Sequence, residues 1–323
     1  MIAVIGGSGL TKLVDLEITR RRIVRTPYGE PSGPLTFGRI GKQEVVFLAR
    51  HGYGHTLAPH EINYRANLWA IHAQEVTRVI AIATVGGIAA NLGAGAIAIP
   101  DQIIDYTWGR PSTYFEGAEQ PVTHIDFTYP YSDEMRRLAL ASAKDVGVAV
   151  AEGGTYAAVQ GPRLETKAEI DRLERDGATM VGMTGMPEAA LAREIGLLYA
   201  HLCVVVNPAA GRGASARTVS MDDIGRVIDE TMGRVRLPAS PSCRPSWRRR
   251  ARGGRSRPWS PGAAPGLRHR CRHSPRRHRR RELLDGLRLL AQYRVAHAQH
   301  LTNCHGSPPS SPRPSALAPW SRR

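Results

Sequence analysis

Six apolar runs along this chain each stop at a glycine or a polar residue, and that repeated stop constrains the fold more than any other feature. They are AVIGGSG from Ala3, EVVFLARHG from Glu44, RVIAIATVGG from Arg78, TYAAVQGP from Thr155, ATMVGMTG from Ala178 and LLYAHLCVVVNPAAG from Leu197. Short apolar runs bounded by turn residues read as strands. In an open α/β sheet, ligands bind beyond the carboxyl ends of the strands, so polar residues at such stops converge. The densest stretch runs from Gly161 to Gly211, where GPRLETKAE, VGMTGMPE and CVVVNPAAGRG follow one another. Glu165, Met183, Thr184 and Asn207 are expected in a pocket on that ground.

Composition divides the chain in two. The formal charge of +16 invites a nucleic-acid reading, but the excess is local. From Pro238 to Arg323 there are 20 Arg, no Lys and 2 acidic residues, which leaves 24 basic against 26 acidic residues in positions 1–237. The expected organisation is a nearly neutral folded domain over 1–237 followed by an arginine-rich tail over 238–323. Cys203 alone lies in the front part, inside an apolar run where a buried inert thiol is the default. Cys243, Cys271 and Cys304 in the tail show neither C-x-x-C pairing nor metal-type spacing. The first residues are strand-like, without a basic stretch and a long apolar core, so no signal peptide is expected. No apolar run approaches the roughly 20 residues a membrane helix needs. A cytoplasmic protein without a membrane partner is expected.

Taken in order, the strand ends carry a consistent chemistry. Gly-Gly-Ser-Gly at 6–9 lets backbone N–H groups approach an anion, and Ser8 adds a hydroxyl donor. Neither a dinucleotide fingerprint nor a P-loop lysine accompanies it. Arg50 and His51 close the second run, and the planar fork of an Arg suits phosphate. Thr84 and Val85 precede Gly86-Gly87 in what reads as a third anion-friendly turn, and Thr184 makes a fourth. Each stop alone is equally a plain turn, but together they point to one phosphate site. His55, His60 and His72 lack a metal spacing, so no metal is expected. Asn63 to Val76 reads as an amphipathic helix, Ser132 to Gly147 as a helix with a Ser cap, and Ser220 to Val235 as a third, with Asp222 and Asp223 early and Arg234 and Arg236 late. The aromatic segment 106–131 reads as loop that covers a pocket, meets a neighbouring subunit or packs into the core.

Seven motifs in this order, IGGSG, ARHG, INYRANLWA, ATVGGI, QGPRLETKAE, GMTGMPEAALA and NPAAG, resemble those of the purine nucleoside phosphorylase and methylthioadenosine phosphorylase family over about residues 1–236. The resemblance implies a single α/β domain with a mixed, distorted central sheet flanked by helices, usually a homotrimer. It implies replacement of a purine base on a ribose by inorganic phosphate as co-substrate, without a metal or organic cofactor. Ser8, Arg50, His51, Thr84 and Thr184 match phosphate-binding positions, with backbone help at Val85. Met183 matches a residue against the ribose. Glu165 and Asn207 match the pair that holds the purine in members acting on 6-oxopurines, and His124 matches a position that reaches a neighbour's 5′ pocket in some relatives.

Two details sharpen the expected substrate. A carboxylate at Glu165 accepts from the N1–H of hypoxanthine or guanine but faces the N1 lone pair of adenine; adenine-specific relatives carry Ser and Asp at these two positions. Nucleoside-specific relatives place a His near the start of the final helix to bond the 5′-hydroxyl, where TVSMDDI puts Met221, with Ile224 one turn on. An apolar pair cannot serve a hydroxyl but packs on a methylthio group. A 6-oxopurine joined to a 5′-methylthio sugar is S-methyl-5′-thioinosine. The ordinary 6-oxopurine nucleosides and methylthioadenosine are the alternatives. The expected reaction passes through an oxocarbenium-like ribose. Phosphate stabilises and then attacks it, while Asn207 offsets charge gathering on the leaving base.

From about Pro238 the chain turns to Arg, Pro, Ser, Gly, Ala and His. Two readings stand: GC-rich DNA translated out of frame, or an authentic disordered tail that attracts nucleic acid non-specifically. Disorder is expected in both, with one short helix over Glu282 to His297.

Overall fold

The protein is described here by a computed structural model, which defines residues 1–10, 13, 16–117 and 121–235. The tail, its expected helix over 282–297 and Arg236 lie outside the described residues.

Chain order builds one large mixed sheet. Strands β1 (Ile2–Gly6), β2 (Glu17–Arg22), β3 (Leu35–Ile40) and β4 (Gln43–Ala49) come first, then helix α1 (Tyr64–His72) and the long strand β5 (Arg78–Gly87). Strands β6 (Ile97–Ile99) and β7 (Gln102–Asp105) precede helix α2 (Asp133–Asp145), followed by β8 (Ala151–Glu152) and β9 (Thr155–Ala158). Helix α3 (Lys167–Arg175), strand β10 (Met180–Gly182), helix α4 (Gly185–Glu194), strand β11 (Leu198–Pro208) and helix α5 (Met221–Val235) complete it.

The sheet runs β2-β3-β4-β1-β5-β10-β9-β7, and it branches at β5. The first half of β5 lies parallel to β1, with Ala3 opposite Val79; its last residues lie antiparallel to β10, with Val181 opposite Gly86. On its other side β11 follows β5 for its whole length, from Leu198 opposite Arg78 to Pro208 opposite Gly87. One strand thus serves three neighbours, which is the distortion the family resemblance implies. β5 is buried almost throughout, as a strand covered on both faces must be.

Alternation sends successive residues to opposite faces. Ala3 and Ile5 of β1, with Tyr199, Cys203 and Val205 of β11, meet α1 and α4 through Leu68, Ile71, Ala189 and Ala192. Ile2, Val4, Ala200, Val204 and Val206 face the other way, onto Met135 and Ala139 of α2 and Ile224, Val227 and Ile228 of α5. Full burial of each such Ile, Leu or Val side chain stabilises by about 1.5–3 kcal/mol. Helix α3 packs separately, with Ile170 and Leu173 against Ile88, Ala157 and Val181.

The expected helices are present with altered ends. Asn63 caps α1 by accepting from the backbone of Ala66, but the helix stops at His72 instead of Val76. Glu75 there takes φ +58 and turns the chain so that Val76 drops into the core. Ser132 caps α2 and accepts from Met135 N–H. The Ser220 hydroxyl accepts from Asp223 N–H at the start of α5, with Asp222 and Asp223 in its first turn. Segment 106–131 contains neither helix nor strand among its described residues.

One expectation needs correction. Thr84 and Val85 do not sit in a turn, because β5 runs on through Gly86 and Gly87. Those glycines are strand residues that let a neighbour close in: a Cβ on Gly87 would collide with the backbone carbonyl of Leu92.

Candidate functional site

A cavity of about 510 Å³ opens at the carboxyl ends of these strands. Register explains why the strand ends meet. Gly6 of β1 pairs with Ala49 of β4, so Gly7-Ser8 and Arg50-His51 leave the sheet side by side. Val204 pairs with Thr84 and Asn207 with Gly86, across a β-bulge in β11 that shifts the register by one residue. Gly182 ends β10, and Met183 and Thr184 follow directly. Of the twelve residues expected in the site, eleven line this cavity: Ser8, Arg50, His51, Thr84, Val85, Thr184, Glu165, Met183, Asn207, Met221 and Ile224. Of the twelve, His124 alone is absent from the lining; it is exposed on the 106–131 segment.

Polar side chains of Ser8, Arg50, His51 and His55 gather where β1 and β4 end. Gly7 is required there, since a Cβ would come within 2.5 Å of the Ile82 carbonyl oxygen and 3.1 Å of Arg50 Nη1. Arg50 is fully buried, and its Nε and Nη2 donate to Glu188 at 2.7 and 2.9 Å while Nη1 donates to the Ile82 carbonyl at 2.9 Å. The His51 Nδ1 lies 2.8 Å from the Leu57 carbonyl, an acceptor only, so Nδ1 carries the hydrogen and Nε2 keeps its lone pair. Burial, and then the positive charge of Arg50, pull its pKa down to about 4. His51 is therefore neutral at pH 7. Ser8 Oγ lies 3.5 Å from His55 Nε2, and the two histidine rings sit 4.5 Å apart. Thr184, at the N-cap of α4, donates its backbone N–H to the Tyr156 hydroxyl and makes no side-chain cap bond.

Glu165 and Asn207 also line the cavity. Burial pushes the Glu165 carboxyl above its ordinary value. Asn207 Nδ2 donates to the Pro208 carbonyl at 2.6 Å, which fixes the amide and leaves its second N–H and Oδ1 for a ligand. Helix α5 supplies an apolar wall: Met221, Ile224 and Ile228, with Val219 before it. Met221 is 65% exposed.

The sequence reading missed several contributors. His55, which had been weighed only as a metal ligand, lines the cavity, as do Val219 and Ile228. Among the described residues no group of three or more His, Cys, Asp or Glu is placed to hold a metal ion. Arg110 lies buried behind the cavity and donates to the carbonyls of Gln160 (2.9 Å), Met183 (2.9 Å) and Met186 (2.7 Å). It ties the loop leading to Glu165 to the one carrying Met183 and Thr184. Arg110 lies in the aromatic segment, and its only signal there was a lone Arg before Pro111. Thr166 carried a local signal, its spacing to Glu169. Thr166 and Glu169 form a reciprocal capping box that starts α3 and so fixes the exit of the Glu165 loop.

The phosphorylase superfamily profile matches residues 1–235. The chain is 53% identical over 228 residues to a probable S-methyl-5′-thioinosine phosphorylase from Xanthomonas campestris pv. campestris, covering 71% of this chain and 91% of that one. It is 45% identical over 224 residues to a 6-oxopurine nucleoside phosphorylase from Pyrococcus furiosus, covering 68% and 83%. Among solved structures, it resembles a methylthioadenosine phosphorylase from Schistosoma mansoni in complex with adenine. The TM-score is 0.69 at 29% identity, over 73% of this chain and 88% of that one.

Proposed function

The chain belongs to the phosphorylase superfamily, and from that premise we propose that it cleaves S-methyl-5′-thioinosine with inorganic phosphate, giving hypoxanthine and 5-methylthioribose 1-phosphate. The observation that supports this reading is one cavity whose lining combines three kinds of side chain: the donors Ser8, Arg50, Thr84 and Thr184, the carboxylate of Glu165 with the amide of Asn207, and the apolar Met221, Ile224 and Ile228 of α5. Phosphate, a 6-oxopurine and a 5′-methylthio group are the chemistries those three kinds suit.

Phosphate lies against Ser8, Thr84, Thr184, Arg50 and His51, with the backbone of Val85. Neutral His51 offers its Nε2 lone pair to the proton of a phosphate hydroxyl. The ribose lies along Met183. As the C1′–N9 bond breaks, its electron pair goes to the base, and Asn207 offsets the negative charge at N7 and O6 while Glu165 orients the ring through N1–H. A phosphate oxygen then bonds to C1′ from the opposite face, and the purine takes up a proton. No covalent bond to the protein forms. Phosphate is the co-substrate, and no organic cofactor or metal enters this scheme.

The unit that does this is residues 1–237, as a homotrimer in the cytoplasm. Exposed Trp108, Val122 and Tyr129 of the 106–131 segment support a subunit contact there, which would bring His124 to a neighbour's site. No described helix is long and apolar enough to cross a membrane.

The test is the ratio of kcat/KM for methylthioinosine over inosine, before and after Met221→His. The native enzyme is expected to favour the methylthio substrate. The variant gives the 5′-hydroxyl a partner and strands the methylthio group against a polar ring, so the ratio falls by about 10- to 100-fold. A native preference for inosine would leave the base assignment standing and favour the second reading, a general 6-oxopurine nucleoside phosphorylase, which the Pyrococcus relative supports.

A further inference from the structure

Beneath the anion end lies a chain of buried polar groups that touches no substrate. Glu188 on α4 is 0% exposed and does not line the cavity. Its carboxylate accepts from Arg50 Nε and Nη2, and from the Tyr199 hydroxyl at 2.7 Å. Tyr199 spends its one hydrogen there, so its oxygen accepts from His201 Nε2, 2.9 Å away. That sets the His201 tautomer, and its free Nδ1 takes the Tyr131 hydroxyl at 3.4 Å. Every hydrogen in the chain points toward Glu188. Burial pulls the His201 pKa down to about 3, so the ring adds no charge. Burial is the largest single influence and would raise the Glu188 pKa, but the charge and hydrogen bonds of Arg50, with that of Tyr199, hold it below its ordinary value.

The donor inventory of Arg50 gives this arrangement a function. A guanidinium has five N–H groups. Three are committed, two to Glu188 and one to the Ile82 carbonyl, which leaves one each on Nη1 and Nη2 beside the cavity. We propose that Glu188 is the positioning residue of the phosphate subsite: it clamps Arg50 in the orientation that presents those two N–H groups to the anion, and Tyr199, His201 and Tyr131 hold the clamp. This rests on the phosphorylase reading above. The clamp also cancels the charge of Arg50. Phosphate is therefore held by aimed donors and not by net positive charge, and orientation is what loss of Glu188 removes.

The experiment measures phosphate-dependent hypoxanthine release from methylthioinosine, with separate KM values for phosphate and nucleoside. It uses the full-length native enzyme, Glu188→Gln, Tyr199→Phe, Arg50→Lys and the double variant Arg50→Lys/Glu188→Gln. Glu188→Gln is expected to raise the phosphate KM by about 10- to 100-fold and the nucleoside KM by less than about threefold. Tyr199→Phe raises the phosphate KM by about threefold. In the Arg50→Lys background, Glu188→Gln adds little, because its route through the fork is already gone. A fall in the phosphate KM would overturn the proposal, since it would mean that Glu188 merely opposes the anion. Equal rises in both KM values, or full additivity in the double variant, would overturn it in favour of a structural role. Should Glu188→Gln fail to fold, Tyr199→Phe decides, and an unchanged phosphate KM contradicts the clamp. Base release that ignores phosphate in the native enzyme would instead contradict the reaction itself.

Discussion

Glu165→Ser combined with Asn207→Asp is expected to turn the enzyme from methylthioinosine toward methylthioadenosine. A carboxylate at 165 accepts from the N1–H of a 6-oxopurine and repels the N1 lone pair of a 6-aminopurine. A hydroxyl at 165 can donate to that lone pair, and a carboxylate at 207 can accept from the 6-amino group. Sites built on hydrogen bonds reject a mismatched partner by up to about four or five powers of ten, because buried polar groups are left unpaired. The ratio of kcat/KM for the two nucleosides should fall by at least about three powers of ten in the double variant. Each single variant leaves one mismatch and loses activity on both substrates. An unchanged ratio would mean that the purine lies elsewhere in the cavity.

Arg50→Met is expected to cost the most. It removes two aimed N–H groups from the anion end and leaves Glu188 buried without a counter-charge. Breaking a buried pair in this way destabilises by about 3–5 kcal/mol, or roughly 10 °C in Tm for a domain of this size. The stability loss has a definite pH dependence. In the native protein the Glu188 carboxyl is held below its ordinary value, so the pair stabilises above the ordinary carboxylate range and loses that contribution as pH falls. In the variant the same carboxyl is pushed up by burial and protonates more readily. The Tm difference should therefore narrow as pH drops from 7 toward about 4. A constant difference across that range would show that the pair's charge is not what stabilises. The phosphate KM should rise by at least about 100-fold at pH 7.

Much of this site was legible because it is made of strand ends. Ser8, Arg50 and Asn207 stand at the carboxyl ends of β1, β4 and β11, which run parallel to their neighbours, whereas Thr184 arrives on β10, which turns back antiparallel along the end of β5. Thr84 lines the cavity as expected but not from a turn: the Gly86-Gly87 pair looked like a turn and is strand, and the glycine at 87 makes room for the backbone carbonyl of Leu92. Hidden from a linear reading were the groups that act from behind. Glu188 sits in an ordinary helical stretch, PEAALARE, and only tertiary contact with a residue 138 positions earlier shows its partner. Arg110 reads as a surface Arg in a loop until the carbonyls of Gln160, Met183 and Met186 are seen around it. The edge strand β2 escaped for another reason. EITRRR carries no apolar alternation, since every residue of β2 is exposed. The α5 wall was anticipated at Met221 and Ile224, and Ile228 extends it by the same helical period.

The most direct test of the central claim is hypoxanthine release from S-methyl-5′-thioinosine by the purified chain, with and without inorganic phosphate. The account predicts release that depends on phosphate, with 5-methylthioribose 1-phosphate formed in equal amount. Equal release in its absence, yielding the free sugar, would make the enzyme a hydrolase and contradict the assignment of Ser8, Arg50, His51, Thr84 and Thr184 to a phosphate subsite.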